Sequence, residues 1–167
     1  MIALAVWLAV GLVQTSPVGV ALASSMAMAT VAAIVDVQTH RLPDVLVVAT
    51  ALPAVVAGAV SGALDDVVLG AVVFVAPVLA VHLVSPAAMG FGDVKFAAAL
   101  GGAVGLLDPL CALLALCVAS GATAVVGLCR RTGSLPFGPG LVFGAAAAIM
   151  AAAVFPGYLS EGRLPWR

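Results

Sequence analysis

Long apolar runs, separated by short breaks that are polar or contain glycine and proline, dominate the pattern of this chain. A helix needs about 20 apolar residues, within a range of about 17 to 25, to cross the hydrocarbon core of a bilayer. Breaks of this kind end helices. The pattern therefore predicts an all-α, polytopic bundle of transmembrane helices with six to seven spans. The spans are expected at about residues 2–13, 18–36, 45–60, 67–84, 94–107, 110–128 and 140–155.

The first and fifth runs are shorter than the others, so we expect those helices to be tilted, partly interfacial or half of a hairpin. The first run also lies where a signal peptide would lie. However, no Lys or Arg precedes it, and no convincing cleavage site follows it. We therefore interpret it as a retained span.

The composition agrees with a lipid environment. Of the 167 residues, 65% are apolar and 8% are charged, whereas about 25% of residues are charged in a typical soluble domain. The net charge of −1 gives no indication of a nucleic-acid partner. The cysteines Cys111, Cys117 and Cys129 show no CxxC spacing and lie near no histidine cluster, so we expect no metal site and no cofactor.

The connectors between the runs differ in charge. Basic residues occur in the connectors at 37–44, 85–95 and 129–139. In the connectors near 65 and 108, all the charged residues are acidic. Lys and Arg accumulate in cytoplasmic loops. This rule places the three basic connectors and the N-terminus on the cytoplasmic side.

Two aspartates at the edges of apolar runs need an explanation, because an ionisable group there is costly and often functional. Asp36 ends the charge-free run 18–35, and Asp93 follows the Gly-Phe-Gly sequence at 90–92. Both could be ordinary interfacial residues, one at a helix terminus and one as an N-cap. Yet the charge rule puts both on one side, and the glycines permit unusual backbone angles and close approach of a substrate chain. Two carboxylates that share a proton suffice for aspartic proteolysis.

Three motifs resemble those of the type IV prepilin peptidases. The segment Gly90-Phe91-Gly92-Asp93-Val94-Lys95 resembles that family's GxGD-x-K motif. Asp36, with Pro43 and Asp44, resembles its first catalytic aspartate and the Asp-x6-Pro-(Asp/Asn) continuation. The segment Leu135-Pro136-Phe137-Gly138-Pro139 resembles its late Pro-Phe-Gly-Pro segment.

The resemblance covers about residues 20–150, and it implies a leader peptidase with Asp36 and Asp93 as the catalytic pair. The implied enzyme is a single membrane-embedded domain, residues 1–167, with its catalytic core at about 20–150. It would cut the basic leader from prepilins or pseudopilins, typically after a glycine, at the cytoplasmic face of the bacterial inner membrane. The expected partners are the substrate's leader and apolar helix and the membrane lipid, with no nucleic acid.

Longer members of that family carry an N-terminal cytoplasmic domain with paired CxxC motifs and also methylate the new N-terminus. This chain contains no CxxC motif, so we do not expect N-methyltransferase activity. It resembles the short, peptidase-only members found with Flp/Tad-type pili.

Other polar residues have simpler interpretations. Lys95 points away from Asp93 on a helix, and either anchors at lipid headgroups or supports the motif. Asp44 is expected to cap the next helix, and His82 is expected to have a packed or hydrogen-bonded role. The Pro-Phe-Gly-Pro segment is expected to form a stiff turn near the active site rather than to supply chemistry.

Helix dipoles give a hypothesis for the roles of the two carboxyl groups. Asp36 lies near the C-terminal end of its helix, where the dipole disfavours a negative charge, and Asp93 lies at the N-terminal start of its helix, where the dipole favours one. Each effect is worth about 0.3–1 kcal/mol at an exposed site. We therefore expect the shared proton on Asp36, with Asp93 as the base that activates water.

Two other classes of function stay open. Carboxylates within a membrane and helices broken by glycine and proline also occur in proton-coupled transporters. Those proteins place their carboxylates mid-span, whereas both aspartates here lie at span ends, and the chain shows no evident internal repeat. A non-catalytic subunit of a secretion or pilus assembly machine could use the same fold.

Overall fold

The chain folds into six α-helices over the residues that the computed structural model describes, which are 17–39, 41–86, 89–130 and 137–154. In chain order these are α1 (Pro17–Thr39), α2 (Asp44–Ser61), α3 (Leu64–Val84), α4 (Phe91–Gly105), α5 (Pro109–Arg130) and α6 (Gly138–Val154). Helices α1, α2, α3 and α5 are long and apolar enough to cross a membrane. The prediction of an all-α, polytopic membrane protein is therefore confirmed.

Each predicted span from 18–36 onward corresponds to one helix, with bounds that differ by a few residues. The predicted span 2–13 lies outside the described residues. The shortest described helix is α4, with 15 residues, which agrees with the short fifth run of the sequence.

Short connections make consecutive helices antiparallel. Gly62 ends α2 with a φ of 70°, in the left-handed region that glycine adopts without strain, and the chain turns into α3 at once. At the start of α5, Asp108 Oδ1 accepts a hydrogen bond from the Leu110 N–H at 2.6 Å and so caps the helix. Because neighbours alternate in direction, the C-terminal ends of α1, α3 and α5 lie at the same end of the bundle as the N-terminal ends of α2, α4 and α6.

Helix α4 occupies the centre of the bundle and contacts each of the other five described helices. Ten of its residues are buried, including Phe96 and Leu100. A helix of 15 residues is shorter than the bilayer core requires, and its neighbours shield it from lipid. Its first turn, which carries Asp93, is therefore held inside one end of the bundle.

Glycines allow α3 and α4 to pack closely. A Cβ added to Gly70 would lie 2.5 Å from the carbonyl oxygen of Gly101 and 2.5 Å from Cα of Gly105. Both neighbours are backbone atoms of α4, so they cannot rotate away. Small residues of this kind drive helix association in lipid, because packing replaces the hydrophobic effect there.

Replacing Gly70 with Ala should destabilise the bundle by about 3 kcal/mol, because the added methyl group forces α3 and α4 apart. Thermal unfolding in detergent measures the effect. Gly121→Ala is the matched control, since a Cβ at that α5 position meets no atom within 4 Å. Equal melting temperatures for the two variants would contradict this packing.

Candidate active site

The two predicted aspartates lie at the same end of the bundle. Asp36 lies about one turn before the end of α1, and Asp93 lies in the first turn of α4. The two carboxyl groups lie near enough for a charge on Asp36 to disfavour one on Asp93. Asp36 is only 6% exposed, and Asp93 is partly buried. Such burial distinguishes the pair from ordinary interfacial residues, and Asp93 is not an N-cap, because Gly90 occupies that position.

The N-terminus of α6 contacts Asp36 directly. The backbone N–H of Gly138 donates a hydrogen bond to Asp36 Oδ2 at 3.3 Å, across 102 residues of sequence. A Cβ at position 138 would lie 2.7 Å from the same oxygen. Only glycine therefore lets this helix terminus approach the carboxylate so closely, and the late motif meets the first aspartate in space.

The prediction that the Pro-Phe-Gly-Pro segment forms a stiff turn is wrong for Gly138 and Pro139. Gly138 and Pro139 are the first two residues of α6, where a proline's fixed φ and missing N–H suit the first helical turn. Phe137 immediately precedes them, and its carbonyl accepts a hydrogen bond from the Leu141 N–H at 3.1 Å. Residues 135–136 lie outside the described part of the chain.

The contact with α6 also alters the hypothesis for the shared proton. The dipole of α1 alone places Asp36 in a C-terminal environment, which disfavours its negative charge. In the structure Asp36 also faces the N-terminus of α6 through the Gly138 N–H, and helix N-termini are anion-binding sites. Each carboxyl group thus has a helix N-terminus beside it, so helix dipoles do not separate their roles.

The glycines beside Asp93 adopt no unusual backbone angle, and of the two only Gly92 is closely packed. Gly90 has a φ of −70° and a ψ of 149°, an extended conformation that any residue adopts. A Cβ at Gly90 would lie 3.6 Å from Asp93 Oδ2, and a Cβ at Gly92 would lie 3.3 Å from Cβ of Leu42. The first turn of α4 therefore packs tightly against the connector between α1 and α2.

An ion pair joins the two aspartate motifs. Lys95 Nζ lies 2.8 Å from Asp44 Oδ1 and so connects the first turns of α4 and α2. The predicted helix cap at Asp44 is wrong, because Pro43 occupies the cap position and no side chain caps α2. The ion pair favours the interpretation that Lys95 supports the motif over the interpretation that it anchors at headgroups.

Because the Lys95 and Asp44 side chains are 40% and 71% exposed, their pairing should contribute only about 0.2–1 kcal/mol. Lys95→Met, Asp44→Asn and the double variant should therefore show similar small losses of unfolding free energy. A double-mutant cycle of unfolding measurements gives the coupling, which should shrink as salt is added. Fully additive losses would contradict a direct interaction.

The model of the type IV leader peptidase family matches residues 23–128. The chain belongs to the type IV leader peptidase family. The matched region contains Asp36, the Pro43-Asp44 pair and the Gly90-to-Lys95 segment, and it ends before the Pro-Phe-Gly-Pro segment. No curated protein and no solved structure matched the chain. Family membership indicates a peptidase.

An apolar cavity of about 250 Å³ lies between α3 and α5 and borders the residues that precede Gly90 and Gly138. Met89 lines the cavity and immediately precedes Gly90, and Phe137 lines it and immediately precedes Gly138. The remaining walls come from the two helices, with Pro77, Val78, Val81, Leu116, Ser120, Thr123 and Ala124. Through Met89 and Phe137, this apolar surface lies close in sequence to Asp93 and to Gly138, which contacts Asp36.

Two contacts at this end of the bundle could not be predicted from the sequence. The hydrogen bond from Gly138 to Asp36 was missed, although Pro139 is a signal for the first turn of a helix. For His82 the sequence predicted a packed or hydrogen-bonded role. The 2.8 Å contact of its Nδ1 with the Met89 carbonyl oxygen confirms that role. Nothing in the sequence identified Met89 as the partner.

Proposed function

We propose that this chain is a membrane-embedded aspartic endopeptidase that removes the leader from prepilins or pseudopilins. The observation that carries the proposal is that the buried Asp36 and the partly buried Asp93 come together at one end of the bundle. Family membership supports leader peptidase activity, and the two carboxyl groups support its aspartic type.

The proposed reaction is the hydrolysis of one peptide bond by a pair of carboxyl groups that share one proton. The ionised carboxylate takes a proton from a water molecule, whose oxygen bonds to the scissile carbonyl carbon. The protonated carboxyl group polarises the carbonyl oxygen. The carbon–nitrogen bond then breaks, and the nitrogen leaves as an amine after receiving the proton that the carboxylate took from water. Which of Asp36 and Asp93 starts with the proton is open in this scheme.

The shape of the site supports a substrate with a small residue at the cleaved bond. Gly90 and Gly92 lie beside Asp93, and Gly138 lies against Asp36, so these three positions add no side-chain bulk next to the pair. An extended substrate backbone fits such a site best where the substrate itself has a glycine. The neighbouring apolar cavity supports a substrate that continues as an apolar helix.

We further propose that this end of the bundle faces the cytoplasm at the bacterial inner membrane. Arg41, Lys95 and Arg130 all belong to this end, and basic residues accumulate on the cytoplasmic side. In this proposal residues 1–167 form a single peptidase domain, with its catalytic core at about 20–150.

Co-expression with a candidate prepilin tests the proposal. The substrate should have a basic leader, a glycine and then an apolar helix, and it should migrate faster on a gel when the native chain is present. A substrate whose glycine is replaced by a bulky residue is the control and should stay intact. An unprocessed native substrate beside well-expressed chain would contradict the proposal.

A further inference from the structure

His82 is held at the active-site end of the bundle by a hydrogen bond of defined direction. The residue lies in the last turn of α3, and its Nδ1 lies 2.8 Å from the carbonyl oxygen of Met89. A carbonyl oxygen only accepts hydrogen bonds, so Nδ1 carries the hydrogen and donates it. His82 thereby ties α3 to the residue directly before Gly90, the N-cap of α4.

A second contact connects His82 to the first turn of α4. Its ring lies 5.6 Å from the ring of Phe91, at an interplanar angle of 47°. Lys95 Nζ lies 5.4 Å from the centroid of the same Phe91 ring and pairs with Asp44. The four side chains thus form a continuous set of contacts from α3 across α4 to α2. We call this set the His82 network.

The Asp93 turn packs against Leu42 through Gly92, but the residues that precede Asp93 give its backbone little rigidity of their own. Two of the three residues before Asp93 are glycines, which leave the backbone with more freedom than other residues do. Phe91, between them, is 54% exposed, so the core does not fix its ring. The Gly90 carbonyl accepts a hydrogen bond from the Asp93 N–H at 3.1 Å. A movement of Met89 would therefore shift Gly90 and, through this bond, Asp93.

We propose that His82 is a positioning residue for Asp93, acting through the Met89 carbonyl and the Phe91 ring. It touches neither the substrate nor the reacting atoms. This inference rests on the proposed peptidase function. A misplacement of a catalytic group by about 1 Å can lower the rate by about 100-fold. Contacts from His82 that hold the glycine-containing turn in place would therefore keep Asp93 in its catalytic position.

Two substitutions separate the donor from the ring. His82→Asn keeps a nitrogen donor near the position of Nδ1 and removes the ring, whereas His82→Phe keeps a ring and removes the donor. We expect His82→Phe to lower kcat by about tenfold with little change in KM, and His82→Asn to keep kcat within about threefold of the native value. Leu83→Asn, at the adjacent and exposed position, is the matched control and should leave kcat unchanged.

The tautomer gives a readout that does not depend on activity. Nitrogen-15 NMR of histidine-labelled protein should show the His82 ring with its hydrogen on Nδ1 at neutral pH, with the signal assigned by its loss in His82→Asn. A hydrogen on Nε2 alone would overturn the inference, because Nδ1 could not then donate to the Met89 carbonyl.

The outcomes distinguish this inference from the proposed function. If Asp93→Asn abolishes prepilin processing and His82→Phe keeps the native kcat, the positioning role fails and the peptidase function stands. Equal losses of kcat and of melting temperature in His82→Asn and His82→Phe would also overturn the positioning role. Native rates in both Asp36→Asn and Asp93→Asn would overturn the peptidase function, whatever the NMR spectrum shows.

Discussion

Asp36→Asn and Asp93→Asn should each lower the rate of prepilin cleavage by about 1000-fold while leaving the protein folded. Acid–base catalysis by a positioned side chain contributes about 100- to 10,000-fold, and an amide can neither take nor give a proton in this reaction. Asparagine has nearly the shape of aspartate, and its carbonyl oxygen can still accept the hydrogen bond that Gly138 donates to Asp36. Initial rates with purified protein, together with melting temperatures in detergent, measure both effects.

The matched control is Asp65→Asn. Asp65 lies in the first turn of α3, at the opposite end of the bundle from the pair, so its substitution should leave the rate within about twofold of the native value. The catalytic assignment fails if either active-site variant cleaves prepilin as fast as Asp65→Asn does.

Gly138→Ala should lower the cleavage rate by about 100-fold, because the added methyl group displaces the Asp36 carboxylate. The Cβ would lie 2.7 Å from Oδ2 and 3.3 Å from Cγ of Asp36. These are side-chain atoms, which can rotate away, so α6 should stay in place. The loss of unfolding free energy should therefore be about 1 kcal/mol or less.

Alanine substitutions at two other glycines serve as controls for this prediction. Gly70→Ala meets backbone atoms of α4 and should reduce stability, whereas Gly121→Ala meets nothing within 4 Å and should reduce neither stability nor rate. Gly138→Ala should reduce the rate far more than the stability. A rate equal to that of Gly121→Ala would show that the α6 terminus does not position Asp36.

The helices could be predicted from the sequence because lipid imposes one rule on every span. A bilayer core demands long apolar helices, so the runs from 18–36 to 140–155 each mark one helix. Asp36 and Asp93 were also recognisable, because charged residues are rare in such a chain and stand out at the ends of apolar runs.

The remaining geometry could not be read from the sequence because it depends on partners far along the chain. We expected Asp44 to cap α2, but Lys95, 51 residues away, forms an ion pair with it. Helix dipoles predict different protonation states for Asp36 and Asp93. However, the N-terminus of α6, 102 residues further along the chain, also faces Asp36. Local patterns predict local structure, whereas these contacts follow from how six helices pack.

The most direct test of the central claim is mass spectrometry of a purified prepilin incubated with the chain in liposomes. We predict a single cut, directly after the glycine at the end of the leader, and no cut with the Asp36→Asn or Asp93→Asn protein. An intact prepilin after long incubation with the folded native chain, or the same cut by both variants, would contradict an aspartic leader peptidase built on Asp36 and Asp93.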